Sequence, residues 1–558
     1  MSVNKINFRV SKLESLWIKD LKYVDDYLLS FEKIDKNIIS KRSAIIYDHY
    51  YNVCKKLSVF LNTNHGVNFS EKFWRKTFNY GLLILITDLY QHFKYLESHY
   101  NPQKNISNIL SLNSFKILDT FEQQRKYLQS DLGYEQIFSL YIRFKKYDYQ
   151  REIILQEKSD LKILNNLKSF IRNFVLKFSS KKKIKTLILN SYFERKHLLE
   201  IQNKNTDYIF FNRIFLSKHI NFNLRNKISI LDKKSADFEL FLNFCLKYLL
   251  PKIYLEGFRK SMNLTIRILK NYPKLRTIIS EGWITDTPSS FILAIAKNEG
   301  IKHYCNEHNS YTHPFLGDFL RLSIELSDKF LTLGWINKSP KVIKSSSLFR
   351  FRTNQKRKKD NILFVAGPLG LNYPIYSTCY GSCGYFSNSI IDFNNNFFSK
   401  ISENILSSII FRNYPNYKSE QIKLRNSIYN DLVEKHNLMI DNLETDCLTQ
   451  MSKSKLIIID YISTSFIEAL ASNIPVIIFL TPGYILDDKY SDFFDPLIDS
   501  GIFQTNPYNA AKLVNSIIDY PRVWWESEKV QTGRRQFLSK NFGEPNSLKK
   551  LILKLNSL

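Results

Sequence analysis

Residues 455–480 read KLIIIDYISTSFIEALASNIPVIIFL. The runs at 455–460 and 475–480 are apolar, rich in β-branched residues and too short for a helix, so each reads as a strand. Neither run alternates with polar residues, so both faces of the sheet should be covered. Between them Ser463, Thr464 and Ser465 offer hydroxyls suited to a helix start, and an apolar stretch continues to about Ser472. A strand, a helix and a second strand in so short a span make a βαβ unit. Its strands are parallel, because the helix returns the chain to the edge where the first strand began.

Working outward, the same pattern recurs. Strands are expected at 361–366, at 408–413 before Pro415, and at 438–441, with a helix at 447–452. Upstream, residues 346–360 are polar and basic with no apolar face, and read as a linker. Before it, short strands at 186–189, 275–280, 301–306 and 329–335 alternate with helical segments opening near Ser191 and covering 289–297. Residues 47–61 and 72–96 instead carry apolar and aromatic residues at helical spacing. The expected fold is α/β: two doubly wound, Rossmann-like domains behind a helical N-terminal extension. The expected division is 1–180 helical, 181–345 the first domain, 346–360 the linker, 361–543 the second domain and 544–558 a C-terminal helix or tail.

Composition bounds the function. At 558 residues the chain exceeds one compact core, and 44% hydrophobic with 24% charged residues excludes wholesale disorder. Its apolar runs, such as 81–86, fall far short of the ~20 residues needed to cross a bilayer. The polar opening and six scattered cysteines point to the cytoplasm. The net charge of +28 favours polyanionic partners, whether nucleotide, anionic lipid or nucleic acid. The chain is also rich in Lys, Asn and Ile throughout, so charge alone identifies none of them.

Several residues could carry chemistry. Ser463, Thr464 and Ser465 stand where a buried strand turns into a helix, and unpaired N–H groups at a helix start favour a phosphate. Glu468 is placed to close a capping box or to reach a ribose hydroxyl. Arg412 ends another strand, where open α/β sheets bind ligands, and could clamp a phosphate or form a salt bridge. Gly367 and Gly370 follow the first strand of the second domain and permit close approach of a ligand. In the first domain Glu281, Asp286, Glu307 and His308 follow two strands and are candidate bases. No metal is expected: His303, His308 and His313 recur every five residues, and Cys379 and Cys383 lack a second ligand pair. There is neither a P-loop nor a nucleophile elbow, and no cofactor is expected.

With these residues in view, the chain resembles a family of bacterial transferases first described in spirochaetes and placed among surface-polysaccharide genes. The likeness lies in LNTNHGVNFSEKFWR (61–75), LPKIYLEGF (250–258), 281–286, SDKFLTLGW (327–335), FRNYP (411–415), 460–475 and VWWESEKVQ (523–531). The family's opening loop has no counterpart before Ser43, and its Gln-His-Gly-Gly turn reads EHNS at 307–310. The resemblance implies a GT-B-like fold and transfer of a sugar from a nucleotide-activated donor to a surface polysaccharide such as an O-antigen or capsule. The donor would lie on the second domain, near Gly367, Arg412, Ser463, Thr464, Ser465 and Glu468. The acceptor, lipid-linked or a growing glycan, would lie on the first. Asp286 is favoured as the general base over His308 and Glu281. Such enzymes need no bound metal, since a helix start and basic side chains stabilise the departing phosphate. The positive charge would suit an anionic inner-membrane surface. One rival reading is a polyol-phosphate transferase of similar fold using a CDP-linked donor. Another is a nucleic-acid-binding protein, disfavoured because the aromatics follow buried helical spacing.

Overall fold

A computed structural model of the protein describes residues 36–103, 108–128, 131–154, 183–189, 205–209, 219–231, 235–282, 287–307, 313–316, 320–345, 361–367, 383–413, 429–462, 464–481, 485–543 and 547–557. The expected linker at 346–360 lies outside them.

The N-terminal region is helical. Helices Lys36–His65 and Glu71–His99 pack on each other through Tyr47, Tyr50, Cys54, Leu57 and Leu61, all buried. Burying each large apolar side chain contributes about 1.5–3 kcal/mol, which is why three-to-four-residue spacing forces a helix here. Ser70 caps the second helix by accepting the Phe73 N–H. That helix kinks at Asn79, whose φ of 42° is rare for a side-chain-bearing residue. It packs along helix Thr287–Asn298, so the helical region shares a core with the first sheet. A two-residue parallel pair, β1 (Ile109–Leu110) and β2 (Glu152–Ile153), completes the region.

The first sheet contains β3 (Thr186–Leu189), β4 (Thr206–Ile209), β5 (Thr277–Glu281), β6 (Lys302–Asn306), β7 (Lys329–Thr332) and β8 (Val342–Lys344) in the order β4-β3-β5-β6-β7-β8. The second contains β9 (Ile362–Val365), β10 (Ile409–Arg412), β11 (Met439–Ile440), β12 (Leu456–Ile459), β13 (Val476–Phe479) and β14 (Phe503–Gln504) in the order β11-β10-β9-β12-β13-β14. Every pairing in both sheets is parallel. All residues of β9, β12 and β13 are buried, as continuous apolar runs covered on both faces must be.

The two halves are joined at several points. Phe315 bridges to Leu486, and Gly334 bridges to Phe542. Gly334 has φ of 143°, and a Cβ there would sit 2.2 Å from the crossing backbone of Phe542 and Gly543, so glycine is required. Beyond this crossing, helix Ser547–Ser557 returns to the first sheet. Asn556 accepts from the Thr186 hydroxyl at 2.8 Å and donates to Thr206 Oγ1 at 2.7 Å, while its carbonyl accepts from Lys185 Nζ. Two doubly wound sheets with the last helix crossing back to the first make a GT-B-like architecture. Among the described residues no helix is long and apolar enough to cross a membrane.

Candidate functional site

The order of the second sheet locates its ligand-binding edge. The chain starts at β9, proceeds to β10 and β11 on one side, then jumps across to β12 on the other. The carboxyl ends of β9 and β12 are therefore the switch point, the usual ligand position in such sheets. The register sets Val365 level with both Arg412 and Ile459, so Gly367, Asn413 and Asp460 emerge together.

Asp460 organises this edge. It is fully buried, and its carboxylate accepts the Gly367 N–H at 2.6 Å and the Asn394 side-chain amide at 2.8 Å. The Tyr429 hydroxyl lies 3.1 Å from the same carboxylate and 3.2 Å from the Gly367 carbonyl. Burial pushes the Asp460 carboxyl up to about 6, and these donors oppose the rise by favouring the charged form. Gly367 is thereby pinned against Tyr461, whose ring root would lie 2.7 Å from a Cβ at that position. Helix Thr464–Ala471 begins directly after this strand–turn, with Thr464 and Glu468 partly exposed and Ser465 buried.

Arg412 sits one strand over and is itself buried. It forms an ion pair with the buried Asp441 and donates to the Thr445 carbonyl at 2.8 Å. Asp441 also accepts the Leu443 N–H, so Arg412 fastens the loop from β11 to helix Cys447–Lys453. Cys447, at the start of that helix, lies 3.8 Å from the Ser465 hydroxyl. Burial raises its thiol to about 11; Arg412 pulls it down and Glu468 pushes it up. Arg412, Ser465 and Glu468 therefore surround one partly buried thiol. The buried side-chain oxygens of Asn413 and Thr481, after β10 and β13, have no hydrogen-bond partner among the described residues. Buried acceptors left open at a strand edge suit water or a ligand.

In the first sheet the chain switches sides between β3 and β5. Glu281 ends β5 there and is buried, with Asn306 of β6 beside it in register. The following Gly282 carbonyl accepts from Ser323 Oγ, which in turn meets the Tyr80 hydroxyl at 2.9 Å. The kink at Asn79 thus precedes a residue that supports this loop. Glu307 is fully buried and accepts from the Leu333 N–H and the Trp335 indole at 2.8 and 2.7 Å. Burial lifts its carboxyl to about 8 while these two donors oppose the rise, and through them Glu307 braces the β6–β7 edge. Asp286, His308, Ser463 and Gly370 lie outside the described residues. Among the described residues no cluster of three or more His, Cys, Asp or Glu could hold a metal.

Sequence reasoning missed Asp441, Asn394, Tyr429 and Cys447. Asp441 closes an expected strand, a position that could have marked it. The other three carry no local signal, because their importance comes from partners far away in the chain.

A family model described as LIC12162 family transferase matches residues 21–555. No curated protein matches the sequence. Among solved structures, the chain is similar to TarM at 13% identity, covering 53% of this chain and 58% of that one, with a TM-score of 0.34. It is similar to MurG of Acinetobacter baumannii at 13% identity, covering 67% and 100%, with a TM-score of 0.35. It is similar to the wall teichoic acid polymerase TagF at 13% identity, covering 71% and 98%, with a TM-score of 0.35. These are distant likenesses, and the chain spans under two thirds of TarM; the fold rests on the sheets and the returning helix.

Proposed function

Because the chain belongs to the LIC12162 family of transferases, we propose that it moves a sugar from a nucleotide-activated donor to a growing surface glycan. The observation that carries this reading is the switch point between β9 and β12, where the strand order reverses. There Asp460 pins Gly367, and helix Thr464–Ala471 begins just beyond that carboxylate in the chain. A diphosphate fits such a place, because glycine permits close approach and helix N–H groups stabilise negative charge as it develops. In this reading Ser463, Thr464 and the helix start hold the donor phosphates, and Glu468 reaches the ribose. Ser465 and Arg412 act from behind, through Cys447 and the 441–447 loop.

The acceptor lies across the cleft at the first sheet's edge. Asp286, between β5 and helix Thr287–Asn298, is the proposed base that removes the acceptor hydroxyl proton as the sugar–phosphate bond breaks. His308 is second choice, and Glu281, buried in the strand end, orients the loop. The surplus of cations would hold the protein at an anionic inner-membrane surface where lipid-linked acceptors reside.

A thermal-shift screen with UDP, GDP, dTDP, CMP and CDP tests donor binding. One nucleotide at about 100 times its Kd should stabilise by roughly 2.7 kcal/mol. Asp286→Asn should retain that stabilisation and lose transfer of the matching nucleotide sugar. If no nucleotide stabilises the protein, the reading fails. Turnover of CDP-glycerol with release of CMP, and of no nucleotide sugar, would make the protein a polyol-phosphate transferase instead.

A further inference from the structure

Helix Phe258–Lys270 precedes β5 and reads FRKSMNLTIRILK; the stretch 257–280 around it holds six Lys and Arg and no Asp or Glu. In the whole chain 80 cations are interspersed with 52 carboxylates, so a run free of acids departs from the composition. Helical geometry gathers Arg259, Lys260, Asn263, Ile266, Arg267 and Lys270 within an arc of about 120°, and all six are exposed. The opposite side, with Phe258, Ser261, Thr265 and Ile268, is buried. Half-buried Met262 and Leu269 stand one turn to either side of Ile266, so an apolar seam edges the basic face.

Nothing nearby neutralises this face. Among the described residues, the side chains of Arg259, Lys260, Arg267, Lys270 and the exposed Lys274 just beyond form no ion pair or hydrogen bond. Glu256, ahead of the helix, is taken by the buried Arg225. Helix Thr287–Asn298, packed alongside, brings no carboxylate before Glu299, past its end.

The fold also sets where the face leads. Phe258 meets Phe291, near the start of helix Thr287–Asn298, with ring centroids 6.1 Å apart. At the other end the Tyr272 hydroxyl donates to Asp207, early in β4, at 3.0 Å. The helix therefore runs opposite to the strands, and its Arg259–Lys260 end lies toward the edge of the first sheet where Glu281 closes β5.

We propose that this face is where the protein docks on an anionic lipid surface, with Ile266 and its apolar seam resting at the headgroups. Five long, unpaired cations on a helix about 20 Å long can level their charges against a plane, and clusters of this size attract anionic headgroups. No ring stands among them, since Phe258 and Tyr272 are buried, so nucleic-acid bases find no stacking platform here. The inference rests on the sugar-transfer reading only for what the membrane would present, a lipid-linked acceptor near the Arg259 end.

Vesicle co-sedimentation of the full chain tests it, with one part phosphatidylglycerol to two parts phosphatidylcholine against phosphatidylcholine alone. At about 0.1 M salt the anionic mixture should bind about ten-fold or more tightly than the neutral one, and higher salt should release the protein. Lys260→Gln, Arg267→Gln and Lys270→Gln together should weaken binding about 100-fold, since each cation near such a surface contributes roughly five-fold. The matched set Lys453→Gln, Lys512→Gln and Lys529→Gln removes as many exposed cations from the other half of the protein and should cost less than about five-fold. Ile266→Glu alone should weaken binding several-fold, with unchanged melting temperatures confirming that each variant is folded. Equal losses in the two triple variants, equal binding to both vesicle types, or no binding to the anionic one would overturn the proposal. So would a first triple variant that loses binding to a DNA duplex and keeps binding to vesicles. Nucleotide stabilisation measured on the same samples separates the two readings. If it is present while vesicles do not bind, the docking inference fails alone. If it is absent while vesicles bind through this face, the donor reading fails and the docking face stands.

Discussion

Replacing Arg412 with methionine keeps most of the side-chain volume and removes the guanidinium. Asp441 would then remain buried, with only the Leu443 N–H as a donor among its described partners, and the Thr445 carbonyl would lose its hydrogen bond. Breaking a buried pair from one side costs about 3–5 kcal/mol, because a charge is left without compensation. Asp441→Asn should cost a similar amount by stranding the guanidinium. The double variant carries neither charge, so its loss should fall short of the sum of the single losses by about 2 kcal/mol or more. Urea unfolding followed by circular dichroism reads this directly. A slope near 3 kcal/mol/M turns the loss in either single variant into a midpoint shift of about 1 M or more. Arg412→Lys keeps a charge but reaches one acceptor instead of two, and should lose about 1–2 kcal/mol. Additive losses would show that the pair is not coupled. Unchanged stability together with lost nucleotide binding would show that Arg412 reads phosphate directly, and the bracing role assigned to it would be wrong.

Gly367→Ala should lower stability by about 1–3 kcal/mol and weaken nucleotide binding, since the new methyl collides with the root of the Tyr461 ring; an unchanged melting temperature would mean that the turn has room. Asp460 favours its protonated form when folded, with its carboxyl near 6 against an ordinary 3.8. Its contribution is complete below about pH 4 and is lost as pH rises through 6, by about 3 kcal/mol in all. The stability difference from Asp460→Asn should therefore change across pH 4–7, and a flat difference would refute it. Asn556→Ala removes two buried hydrogen bonds to Thr186 and Thr206 and should cost about 1–3 kcal/mol. Faster amide exchange in β3 and β4 is the expected signature, and protection equal to the parent would show that the returning helix does not stabilise that edge.

The central strands were legible because each carries its own evidence. In β9, β12 and β13 every residue is apolar, and short length with β-branched composition marks such a run as a strand rather than a buried helix. Of the edge strands only β11 was, expected at 438–441. β4 reads TDYI and β14 only two residues, and edge strands need less apolar surface because fewer neighbours cover them. The candidate site divides in the same way. A glycine after one strand, an arginine ending another and a hydroxyl-rich helix start are local signals, and from the sequence alone they were expected to share one ligand-binding sheet edge. The sequence by itself determined the parallel, doubly covered sheets and the helical start. Only the tertiary structure decided the strand order that sets β9 beside β12, and with it the place of the switch point. Only the tertiary structure gave Arg412 its partner 29 residues away, and Asp460 its three donors 31 to 93 residues away. Likewise it alone sent the last helix back to the first sheet. The physical reason is that periodicity records which face of a segment is buried, whereas partner choice minimises unsatisfied charge and uncovered surface over the whole chain at once.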